Sequence, residues 1–81
     1  MKSNLLNVET VQEATSCLKT AAGEIEHTID LLEGKVSAED LASYKRMVGK
    51  IIIALYSGLA DPLFEAFPRE KSAFYGEDTE N

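Results

Sequence analysis

"LLEGKVSAEDL", residues 31–41, decides the fold. Gly34 adopts the left-handed conformation that closes a helix without steric cost, so a helix running up to Glu33 stops there. Three residues on, Ser37 stands as the N-cap of a new helix. Asp40 is placed to bond back to it, and Val36 to pack on Leu41 as a hydrophobic staple. A turn confined to residues 34–37 makes the helices on either side antiparallel neighbours.

Upstream, Val8, Val11, Thr15, Leu18, Ala22, Ile25, Ile29 and Leu32 recur at alternating steps of three and four. That spacing predicts one continuous helix over about residues 8–33, with a single apolar stripe. Asn7 is its natural N-cap, with Ser3 as an alternative for an earlier start, and Glu9 and Glu13 lie near the positive end of its dipole. Downstream, a second helix is expected over about residues 38–60. Asp61-Pro62 then reads as an N-cap followed by proline at the first helical position, starting a short third helix over about 62–67. A kink in a continuing helix is the other reading, and Pro68 ends either. Residues 1–68 thus form a single helical domain, and residues 69–81 a polar acidic tail expected to be mobile.

The chain has 81 residues, a size at which a single core is small and a partner is expected. Eight Lys and Arg against fourteen Asp and Glu leave a net charge of −6. That balance argues against broad contact with nucleic-acid phosphates or anionic lipid. The single cysteine, Cys17, forms no internal disulfide, and a reducing compartment fits best. The first residues lack the sustained apolar run of a signal peptide, and residues 51–60 reach half the length of about 20 that spans a bilayer. A soluble, cytoplasmic protein is the expectation.

On a helical wheel, Leu41, Tyr44, Val48, Ile51, Ile52, Leu55 and Leu59 fall within about 60° of one line and should face the first helix. Met47, Ala54 and Gly58 extend this apolar arc on one flank, farther than one facing helix covers. With the chain folded back at residues 35 and 36, residue i lies beside about residue 71 minus i. Ala14, Ala21 and Thr28, with Cys17 just beyond, then fall on the same side of the hairpin as Met47, Ile51, Ala54 and Gly58. This side of small residues invites self-association into a four-helix bundle, with a non-identical helical partner as the rival. On the other flank, Glu26 and Lys45 are level and expected to pair, and Gly23 and Gly49 nearly face each other, favouring close backbone packing. Ile53 fits neither face.

Chemistry is sparse. Glu24 and His27 have the i, i+3 spacing of di-iron bundles, but they lie on the outer face and His27 is the only histidine, so a solvated face is the better reading. Cys17 has no histidine nearby and reads as a small, partly buried packing residue. Ser57 lacks the glycines of a nucleophile elbow, and no phosphate loop is present. Lys35, Lys45, Arg46 and Lys50 mainly balance the acidic first helix. The layout of "LLEGKVSAEDL" resembles that of the short helical-hairpin phosphatases of sporulation regulators. Their second helix carries a Ser-Gln-Glu-Leu-Asp signature, where "LASYKRMVGK" stands here, so the activity is not carried over.

The expectation is therefore an all-α helical hairpin with a short third helix, dimerising into a four-helix bundle. It acts by binding itself and another protein, with no nucleic acid, membrane, metal or cofactor. Met47, Ile51, Ala54 and Gly58 are the association residues. Leu63, Phe64 and Phe67 form a second apolar surface that either seals the bundle end or offers a groove. Regulator, inhibitor or assembly-factor roles all fit. The alternative is a bundle that holds a small apolar ligand or a metal, for which Thr15 and Tyr44 are the only polar candidates on the inward stripes.

Overall fold

A computed structural model describes residues 5–75, and among them no strand occurs. The helices are α1 (Val8–Leu32), α2 (Ala38–Leu55), α3 (Asp61–Ala66) and α4 (Pro68–Tyr75), with a π-helical segment, Tyr56–Ala60, between α2 and α3. Asn7 caps α1 by accepting the Thr10 N–H at 2.8 Å. The alternative cap, Ser3, lies outside the described residues. Gly34 takes φ +82°, and Ser37 caps α2 by accepting the Asp40 N–H at 3.1 Å. Both ends of the turn therefore follow from local chemistry.

The hairpin register matches the expected one. Val11 shares a core cluster with Ala60, and Thr28 bonds Tyr44 at 2.6 Å, pairs whose numbers add to about 71. Thr28 already donates to the carbonyl of Ile25, so in the Tyr44 bond the tyrosine is the donor.

Asp61 is not an N-cap. It sits inside a helix at φ −58°, ψ −40°, and Ala38–Ala66 is continuous over 29 residues. Proline explains how the chain crosses this point. Pro62 has no N–H, and its ring clashes with the carbonyl four residues back, that of Gly58, in a regular α-helix. The preceding turn is widened instead, with the Asp61 N–H bonded to Tyr56, five residues back. The real break comes at Phe67, at φ −136°, ψ 74°.

The widened turn shifts the apolar stripe by one residue. The line Val48, Ile52, Leu55 would continue through Leu59 in a regular helix; the residues buried beyond it are Ala60, Leu63 and Phe64. Leu59, expected against the first helix, is 56% exposed as a result. The core at this end consists of Val11, Ala60, Leu63 and Phe64, flanked by Leu6, Ala14, Leu18, Tyr56, Phe67 and Phe74.

Residues 68–75 are helical where a polar tail was expected. Pro68 starts α4, taking the position where its missing N–H costs nothing. Phe74 meets the edge of Tyr56 at 5.5 Å and tilts against Phe64 at 5.3 Å between ring centres. Lys19 lies 5.5 Å over the Phe74 ring and donates to its carbonyl, and Gln12 bonds Glu70 at 3.0 Å. These contacts hold α4 against α1. Residues 76–81 of the expected tail lie outside the described residues.

Candidate functional site

The hairpin has two sides, and α4 covers only one. On the hairpin itself α4 touches Gln12, Lys19 and Tyr56, all on one flank, and beyond them it touches Asp61 and Phe64 of α3. The opposite flank, marked by the Thr28–Tyr44 bond, is left bare. Met47 is 54% exposed there and Ile51 45%, and Ala54 and Gly58 are exposed as well. Met47, Ile51, Ala54 and Gly58, the four expected association residues, are thus all exposed along α2 and the π-helical segment. Leu59 joins them because of the widened turn. Sequence periodicity missed Leu59, although Pro62 three residues later carried the signal.

By wheel position, the α1 half of this side carries Cys17 and Ala21, both exposed, and Ala14, which is half-buried against the core. Cys17, expected to be partly buried, is exposed. It sits about 120° from the Val11 line on the wheel, beyond the reach of α2.

Leu63 and Phe64 go elsewhere. Both are buried within the chain, Phe64 at 3% exposure, and Phe67 is half-buried, so this segment seals the end of the hairpin. Phe67 also lines an open depression with Val8, Ala66 and Pro68.

Two further expectations fail. Glu26 and Lys45 form no ion pair; both are exposed, where solvent makes such a pair weak. Gly23 and Gly49 do not mark close packing, because a Cβ built on either meets nothing within 4 Å. The ten-residue run lies within a longer continuous helix made of α2, the π-helical segment and α3. By length and composition alone, Ala38–Ala66 is long and apolar enough to cross a membrane, a property core helices of soluble proteins share. Ile53, at 69% exposure, remains outside both sides of the hairpin.

The polar groups are occupied locally. Thr15 is buried and donates back to the carbonyl of Val11 at 2.8 Å, and Tyr44 is bonded to Thr28. His27 lies 3.7 Å from Asp30 on the outer face. Among the described residues no group of three or more metal-ligating side chains converges, and no buried side-chain polar atom lacks a partner. The depression between α1 and α4, lined by Gln12, Ser16, Lys19, Glu70 and Phe74, is an open surface feature. No protein-family model, curated protein or solved structure matches the chain.

Proposed function

We propose that this chain is a non-enzymatic protein-interaction module that pairs with a second copy of itself through the bare side of the hairpin, forming a four-helix bundle. Regulation, inhibition or assembly of another protein by helix-to-helix contact is the role such a module serves. The observation that carries this reading is the convergence of Met47, Ile51 and Leu59, each about half exposed, on the one side that α4 leaves uncovered. Each such side chain contributes about 1 kcal/mol when a partner completes its burial.

Shape supports the same reading. The Cα radius of gyration is 15.7 Å, against about 12 Å for a compact chain of this length. Extents of 49 × 32 × 16 Å describe an elongated slab. A second hairpin laid on the bare side supplies the packed layer that a helical domain needs. Sedimentation velocity at micromolar concentration should return a dimer. A folded monomer under those conditions removes the reading.

A further inference from the structure

We infer that the second copy docks with its α2 antiparallel across this chain's α1, and the reverse, about a two-fold axis parallel to the helices. This rests on the dimer proposed above and specifies which helix meets which. A face-to-face pairing of two hairpins has one other simple form, with α1 on α1 and α2 on α2, about an axis perpendicular to the helices.

Side-chain size favours the crossed form. Met47, Ile51 and Leu59, large exposed residues of this side, belong to α2 and the π-helical segment, while the one large exposed residue α1 adds at its outer edge, Leu31, lies near the turn, away from their levels. This side's small residues Ala14, Cys17 and Ala21 all belong to α1. With a two-fold axis along the helices the levels are kept, so Ile51 of one copy meets Ala21 of the other, and Ala54 meets Cys17. The broad stripe of α2 then settles on the narrow stripe of α1, which is how large side chains and small ones fill a helix interface.

Charge separates the two forms more sharply. Glu24 stands at the outer edge of the bare side on α1, and Lys50 at its outer edge on α2, by their wheel positions. Both are exposed, and neither forms an ion pair among the described residues. In the crossed form Lys50 of each copy comes within one helical turn of Glu24 of the other, so the rim carries two opposite-charge contacts. In the other form α2 lies on α2, and an axis level with Ile51 would set the two Lys50 side chains against each other. Like charges so placed oppose association, and opposite ones fix orientation.

The test uses Cys17. In Ala54→Cys, mild oxidation should produce a covalent dimer on a non-reducing gel, because the introduced thiol faces Cys17 of the other copy; neither wild type nor the double variant Ala54→Cys, Cys17→Ser should crosslink, and a double variant that does overturns the crossed form. A non-covalent dimer that forms no crosslink overturns the crossed form while leaving the dimer itself standing. A monomer overturns both. Charge reversal checks the result without touching the apolar stripe. Lys50→Glu should weaken the dimer about tenfold, and the double variant Glu24→Lys, Lys50→Glu should restore it; a double variant as weak as the single one overturns the pairing. Far-UV circular dichroism identifies any variant that fails to fold.

Discussion

The backbone N–H of Asp61 bonds to the carbonyl of Tyr56, five residues back, in the turn just ahead of Pro62. That one-residue excess lets a continuous helix carry a proline, and it rotates Leu63 and Phe64 into the core while turning Leu59 out. If Pro62 is the reason for the widened turn, the two features are coupled. Deleting Gly58 closes the turn to α geometry while keeping the downstream residues on their inward face. It also drives the Pro62 ring against a carbonyl, at a cost of about 3 kcal/mol. Pro62→Ala in the same chain should recover most of that loss. Urea denaturation followed by circular dichroism measures both, and equal stability of the deletion with and without Pro62→Ala would show that proline is not the cause.

The glycines should respond in opposite directions. Gly23 and Gly49 lie inside helices with open space where a Cβ would go. Gly23→Ala and Gly49→Ala should each stabilise the chain by up to about 1 kcal/mol. Gly34 has equal space but φ +82°, so Gly34→Ala should destabilise by about 1 kcal/mol. Thermal melts of the three variants distinguish conformational cost from crowding. Loss of stability in Gly23→Ala or Gly49→Ala would point to a partner that needs the bare backbone.

Helix α4 is held by an aromatic group rather than by its own propensity, since none of its residues is fully buried. Phe74→Ala removes the ring that touches Tyr56, Phe64 and Lys19. It should cost about 1–3 kcal/mol and release α4. Hydrogen exchange at residues 70–75 should then approach that of an unprotected chain. Exchange as slow as in wild type would mean that the Gln12–Glu70 and Tyr75–Asp61 bonds hold α4 without the ring.

The hairpin was legible in the sequence because its determinants are local. Asn7, Gly34 and Ser37 each act within three or four residues of their own position, and the stripe of α1 needs only periodicity. The end of the hairpin was less legible because its determinants compete. Asp61-Pro62 satisfies the pattern of a helix start, yet burial of Leu63 and Phe64 on the same core as Val11 favours a helix that continues through a widened turn. Residues 68–75 read as a tail because only Phe74 and Tyr75 are large and apolar there. Their order comes from a tertiary contact with Tyr56, which no local window contains. Leu59 was misplaced for the same reason, since a one-residue shift is invisible to a fixed 100° wheel. The bare side itself was legible, because the arc of α2 was wider than one helix covers.

The central claim is that the bare side of the hairpin is where two copies meet, and sedimentation equilibrium of wild type beside Met47→Glu tests it most directly. Met47 is 54% exposed and outside the core, so the variant should keep its helical spectrum. The account gives a dimer for wild type at micromolar concentration and a folded monomer for Met47→Glu. A dimer of unchanged affinity in Met47→Glu, or a wild type that sediments as a folded monomer, contradicts it.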